Sequence, residues 1–189
     1  ILSDITTVQN KLLAQAKTIS KVMRKTNIRR IKKFYEYRSP VNKNHWLYQL
    51  EIIDPYSTRF YVNLISQFTT THGYCAVTYI PDSGRTYIFK SHFFTRYNQR
   101  NEIGLVMPKD IMETFLDENP YYVHRLLEQT GPDKHEVFVQ FAYGVGLGEY
   151  YSSLNLFNIR TFITNDMLKS NQIEISHEIE KTYDIVVFR

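Results

Sequence analysis

The chain of 189 residues has one cysteine and one tryptophan, and no apolar run approaches the length of a bilayer span. A single thiol excludes an intrachain disulfide framework. Cys75 lies in the apolar run Tyr74-Cys75-Ala76-Val77, so a buried structural thiol in a reducing cytoplasm is expected. Without about 18 consecutive apolar residues, no transmembrane helix is expected. Ile1-Leu2-Ser3-Asp4 does not read as a signal peptide; the chain begins without methionine, which leaves a removed leader open. The six histidines are scattered at 45, 72, 92, 124, 135 and 177. With no His-Glu-x-x-His and one cysteine, neither zinc nor any cofactor is expected. No nucleophile-elbow pattern appears. Gly144-Val145-Gly146-Leu147-Gly148 lacks the Lys-Ser/Thr of a phosphate-binding loop and precedes strand-like Glu149-Tyr150-Tyr151, so it reads as a hairpin turn. No internal repeat or low-complexity segment interrupts the chain.

What is present is aromatic. Fifteen Tyr and twelve Phe bring the aromatic content to 15%, within a hydrophobic content of 43%. That composition suits a globular chain with half-buried strands. The formal charge of +4 conceals an asymmetry. Residues 1–44 hold eleven Lys/Arg against two acids, whereas residues 45–189 hold twelve against seventeen. Basic character therefore belongs to the N-terminal segment.

Residues 3–36 read as one long amphipathic helix, continuous or broken near Asn27, because Ile5, Val8, Leu12, Ala16, Ile19, Val22, Met23 and Ile31 recur at helical spacing. Ser3 or Asp4 is the expected N-cap. A β block follows: strands at 46–53, 60–65, 74–79 and 85–89, with turns at Asp54-Pro55-Tyr56-Ser57 and Pro81-Asp82-Ser83-Gly84. Helices are expected from Ser91, from Pro108, and from Asn119-Pro120 through Val123, Leu126 and Leu127 to Gly131-Pro132. A second β block spans Glu136–Tyr143, Glu149–Ser153 and Ile159–Thr164, before a short helix capped by Asn165-Asp166. The fold class is α+β: a long basic N-terminal helix, an antiparallel sheet, and helices inserted between two β blocks. Residues 1–40 form a basic helical arm and residues 41–189 one α+β domain.

The most specific signal is Ser91-His92-Phe93-Phe94-Thr95-Arg96-Tyr97-Asn98-Gln99-Arg100. In a helix, His92, Arg96 and Arg100 fall within an arc of roughly 80°, while Phe93, Phe94 and Tyr97 point the other way. One imidazole and two fixed cations form a phosphate-handling stripe. RNA cleavage by internal attack needs a base, an acid and cations at the phosphate. The flanking arginines would disfavour imidazolium and grip phosphate oxygens in bidentate fashion. The alternative is that Arg96 and Arg100 pair with acids such as Asp110 or Glu113 while His92 caps or packs. A second signal is the basic set Lys17, Lys21, Arg24, Lys25, Arg29, Arg30, Lys32 and Lys33. It attracts nucleic-acid backbone without sequence preference, or a membrane surface or acidic partner. The absence of Trp and Phe from the first 33 residues weakens the membrane version.

The run Tyr87-Ile88-Phe89-Lys90-Ser91-His92, continuing through Arg96, Arg100 and Ile103 to Pro108-Lys109-Asp110-Ile111, resembles an uncharacterised bacterial domain family. In that family a strand leads into Ser/Thr-x-His or Ser-His, arginines follow at the fourth and eighth positions, and a second helix comes next. Gly144–Gly148 and Arg160-Thr161-Phe162-Ile163 resemble its closing strands. Members recur in Bacteroidetes-like genomes and mobile elements, and the domain is grouped with the barnase–EndoU–colicin–RelE ribonuclease fold. The similar region covers about residues 85–170. The resemblance implies a toxin-like ribonuclease in which His92, Arg96 and Arg100 carry over. Glu149 and Arg160 enter by their nearness to the matching strands.

Three readings follow. The first is a toxin-like, metal-independent ribonuclease or RNA-binding protein, with His92 as acid/base and Arg96 and Arg100 as phosphate clamps. The second is a non-catalytic interaction module of a mobile element, docking a cognate inhibitor or other protein through the N-terminal helix. The third is a nucleic-acid-binding regulator acting through the basic helix.

Overall fold

In a computed structural model, residues 2–56, 61–80, 83–119 and 122–183 are described. They form an α+β fold of nine strands and four α-helices. The chain divides into two compact units, Ile1–Phe68 and Thr69–Arg189.

The first unit begins with helix α1, Ile5–Thr26, whose buried stripe is Ile5, Val8, Leu12, Ala16 and Met23. The helix does not continue to residue 36. Asn27 takes a left-handed conformation (φ 55°) and returns its N–H to the Met23 carbonyl, a C-cap that asparagine tolerates better than most residues. Residues Ile31–Arg38 are instead strand β1. It pairs antiparallel along its whole length with β2, His45–Ile52, which pairs in turn with β3, Tyr61–Thr70. The expected arm is therefore a helix and an edge strand. Ile31 and Tyr35 are one helical turn apart and also an even number of strand positions apart, so both periods fit. Ile31, Tyr35, Leu50 and Ile52 pack with Ala16 and Met23.

Asp4 fastens α1 to the β1–β2 loop. Its carboxylate makes no capping bond to the helix backbone. It accepts instead from Asn44 Nδ2 at 2.7 Å, from Asn42 Nδ2, and from buried Trp46 Nε1 at 3.4 Å. Burial pushes this carboxyl up, but the donors of Asn44, Asn42, Ser39 and Trp46 outweigh it, leaving a pKa of about 2.

In the second unit the strand order is β4-β5-β9-β8-β7-β6. These are β4 Gly73–Ile80, β5 Arg85–Phe89, β6 Val123–Gly131, β7 Lys134–Phe141, β8 Gly144–Tyr151 and β9 Leu156–Thr164. The sheet is mixed rather than antiparallel throughout. β5 and β9 run parallel, because α2 (Ser91–Arg100), α3 (Pro108–Glu118) and the β6–β8 meander lie between them in sequence. Parallel neighbours require such a crossover. Of the helix expected from Asn119-Pro120, Val123–Gly131 is instead strand β6, paired with β7 across a Pro132-Asp133 turn, and Pro120 lies outside the described residues. Val123 and Leu127, four apart, again satisfy both periods. Both pack with Phe138, Val145 and Ile179, the last from α4, Ser170–Tyr183. Asn165–Met167 is a single 3-10 turn. Of the expected turns, Ser57 and Pro81-Asp82 lie outside the described residues.

The glycine run is also a correction. Gly144–Gly148 lies inside β8, and the turn is Ala142-Tyr143. Its glycines serve close approach. A Cβ on Gly146 would meet Ile159 Cγ2 at 2.8 Å, Phe141 Cε2 at 2.9 Å and Phe93 Cε2 at 3.4 Å; one on Gly148 would collide with the Asn158 carbonyl oxygen. Opposite them, β9 carries a bulge. Leu147 pairs with Thr161 and Gly148 with Ile159, leaving Arg160 unpaired in the ladder. The extra residue lets Ile159 and Phe162 both face α2.

Gly146→Ala should lower stability by about 1–3 kcal/mol through overpacking. Gly131→Ala, whose added Cβ would find its nearest neighbour at 3.6 Å, should change it little. Urea denaturation of the two variants beside the parent checks this.

Candidate functional site

Helix α2 has an aromatic side and a polar side. Phe93, Phe94 and Tyr97 are buried, as the helical reading of this segment requires, while His92 and Thr95 are exposed. Phe93 is fully buried, with ring centroids of Phe89, Phe94, Phe115, Phe141 and Phe162 between 4.9 and 5.7 Å away. The helix is also tied to β9 at both ends. The Lys90 N–H donates to the Ile159 carbonyl at 2.9 Å, and Arg100 Nη1 donates to the Phe162 carbonyl. Burial, and Arg96 nearby, lower the Arg100 pKa from its ordinary value.

Arg96 stays on the polar side. Its Nε donates to His92 Nε2 at 3.2 Å and its Nη1 to Gln99 Oε1 at 3.2 Å. In this arrangement His92 Nε2 is an acceptor, so the ring proton sits on Nδ1.

An open cleft of about 300 Å³ lies against this side of α2. His92, Ser91 and Thr95 contribute from the helix, and His72 and Tyr74 from the β3–β4 turn and the start of β4. Local chemistry places His72 there. Thr70 Oγ1 accepts from the His72 N–H at 3.2 Å and donates to the Gly73 carbonyl at 3.1 Å, closing a Ser/Thr-type turn. Gly73 has φ +106°, and a Cβ on it would lie 3.2 Å from Ser91 Cβ. Ser91 Oγ donates to the His72 carbonyl at 2.6 Å, locking the turn against the start of α2. His72 is the residue that sequence spacing did not single out. The Thr-x-His-Gly pattern marks a tight turn, but its proximity to Ser91 exists only in the folded chain.

The other expected residues group differently. Glu149 and Arg160 meet, with Arg160 Nη1 3.2 Å from Glu149 Oε1. Lys134 Nζ also reaches that carboxylate at 2.6 Å, and Tyr151 Oη donates to its Oε2 at 3.0 Å. The Lys134 and Tyr151 contacts, with burial opposing them, hold the Glu149 carboxyl below its ordinary pKa. In the strand pleat Glu149 shares a side with Val145 and Leu147, which pack toward α4. It thus lies across the sheet from His92, and the pair forms an ion network, not part of the cleft.

The basic set also divides. Lys17, Lys21, Arg24 and Lys25 are exposed on α1 within an arc of about 100°, opposite the buried stripe. Arg29 and Arg30 lie in the α1–β1 connection, where Arg30 pairs with Glu51 at 2.5 Å. Lys32 and Lys33 are neighbours in β1 and point to opposite sides of its sheet. A second hollow, lined by Glu36, Arg38, Lys43 and His45, has its histidine engaged at both nitrogens, by Glu36 at 2.8 Å and by Gln67. Among the described residues no group of three His, Cys, Asp or Glu is placed to hold a metal ion, and no helix is long and apolar enough to cross a membrane.

Near β5 a different histidine is enclosed. His124 Nδ1 and Tyr87 Oη share a hydrogen bond of 2.9 Å, and the imidazole packs on Phe157 with centroids 4.3 Å apart. Burial, with Arg85 adding to it, lowers the His124 pKa to about 4. No protein-family profile, curated protein or solved structure matches the chain.

Two outcomes are expected here. Between its unfolded value of 6.5 and about 4, His124 binds its proton more readily in the unfolded chain. Stability should therefore fall as pH drops through that window, with no contribution from this group above it. Urea midpoints at pH 7 and pH 4.5 should separate less in His124→Gln than in the parent. Gly73→Ala strains a left-handed turn and presses on Ser91, so it should cost about 1–3 kcal/mol, measured by thermal unfolding.

Proposed function

We propose that the second unit binds and cleaves RNA without a metal, with His92, Arg96 and His72 as the working groups. The observation that carries this reading is the shared cleft. Two exposed histidines line one open cavity, and an arginine is hydrogen-bonded to one of them. Internal attack needs two proton-transfer groups on either side of a phosphate, plus a cation for the charge that builds on its oxygens. His92 would take the 2′-hydroxyl proton, and His72 would protonate the departing 5′-oxygen, leaving a 2′,3′-cyclic phosphate. Arg96 has a dual part. In the free protein its Nε–H occupies the His92 Nε2 lone pair. A bound phosphate competes for the guanidinium in bidentate fashion, which frees that nitrogen to act as a base. Arg100, with one donor on the Phe162 carbonyl, extends the cationic side of the helix. The toxin-like character remains an expectation of the resemblance around Ser91–Arg100.

A second reading has its own support. The solvent side of α1, with Lys17, Lys21, Arg24 and Lys25, suits the phosphate backbone of a nucleic acid and would make the first unit a binding module without cleavage.

Incubating a mixed RNA pool with the purified protein in EDTA should give cleavage that His92→Ala and His72→Ala each reduce by about 100-fold or more. Cleavage unchanged in His92→Ala removes the catalytic reading. For the α1 surface, the slope of log affinity against log salt should shrink by about 3 when Lys17, Lys21, Arg24 and Lys25 are replaced by glutamine. An unchanged slope removes that surface from binding.

A further inference from the structure

The cleft beside His92 has two chemistries. His72, Ser91, His92 and Thr95 supply its polar wall. Tyr74, Phe94, Pro108, Ile111 and Met112 line it as well. Phe94 and Met112 are buried parts of the core, but Tyr74 is 49% exposed. Such a ring, set in a cavity that also carries two imidazoles and two hydroxyls, is out of place in a surface that contacts phosphate alone.

We propose that this cleft is a subsite for one unpaired nucleotide, with the base stacked on Tyr74 and its phosphate at His92 and Arg96. The inference rests on the phosphate-handling reading and narrows it to single-stranded substrates. A volume of about 300 Å³ is at the lower end of small-ligand pockets, roughly 300–1,000 Å³. It accommodates a group the size of one nucleotide and not a duplex. Stacking on an aromatic ring needs a base whose face is free, and it tolerates any base identity, because every base has a π-face. Pro108, Ile111 and Met112 supply further apolar lining. Pro108 starts α3 and Ile111 and Met112 follow one turn on, so this part of the lining comes from one helix.

The test is binding of a fluorescently labelled single-stranded DNA hexamer of mixed sequence at physiological salt, beside the same sequence paired in a hairpin. DNA has no 2′-hydroxyl, so binding is read apart from cleavage. Tyr74→Ala should weaken hexamer binding roughly ten-fold or more, Tyr74→Phe should keep it within about two-fold, and neither should alter hairpin binding. Equal affinity of Tyr74→Ala and parent for the hexamer overturns the proposal, as does equal loss for hexamer and hairpin. Unfolding curves confirm that the exposed position leaves the fold intact. Tyr74-dependent hexamer binding without RNA cleavage would sink the catalytic reading and leave the subsite standing. His92-dependent cleavage with a Tyr74→Ala KM equal to the parent's would do the reverse.

Discussion

The aromatic cluster around Phe93 is the constraint on which the second unit turns. The Phe93 ring is fully buried among five other phenyl groups, and the layer beside it closes because β8 has no side chain at residue 146, where a Cβ would press on Ile159 and Phe141. Large apolar area and edge-to-face ring geometry both favour this arrangement. Its consequence reaches the surface. With Phe93, Phe94 and Tyr97 committed inward, the rotation of α2 is settled, and His92 and Arg96 have no choice but the opposite side. The two ties to β9, from the Lys90 N–H and from Arg100, then limit sliding along the sheet.

The cleft depends on a second, independent constraint. His72 reaches it through a four-residue turn held by Thr70 and pinned by Ser91. Preorganisation of this kind suits proton transfer, where small displacements carry large rate penalties. The same turn delivers Tyr74 to the rim. A polar wall from one helix and an aromatic from an adjacent strand start thus arise from two short segments, each stabilised locally, meeting at one glycine.

Charge is organised by a different logic. The basic excess of the N-terminal third lies on the outer side of α1, in its connection to β1, and on both sides of β1. Asp4, an acid in that segment, is spent on anchoring the helix to the β1–β2 loop. In the second unit the clustered charges Lys134, Glu149 and Arg160 satisfy one another.

The α+β class, strands β2 to β5, β7 and β9, the α2 and α3 segments and the inward set of α2 were legible from the chain alone, the last because a 3.6-residue period beginning at Ser91 admits one amphipathic solution. The strands at 31–38 and 123–131 were not. Their apolar residues sit at separations of four, which both helix and strand accept, and only pairing with β2 and β7 decides between them. The glycines of β8 carried a turn signal in sequence; in the fold they answer to Phe93, Phe141 and the β9 backbone, partners far away along the chain. The same holds for the site. Sequence determined that His92 and Arg96 would share a face, since that is local helical geometry. Tertiary structure alone decided that His72 would join them, that Arg100 would bind a carbonyl of β9, and that Glu149 and Arg160 would face the other way. Those outcomes depend on which strand lies beside which, and a local period carries no information about that.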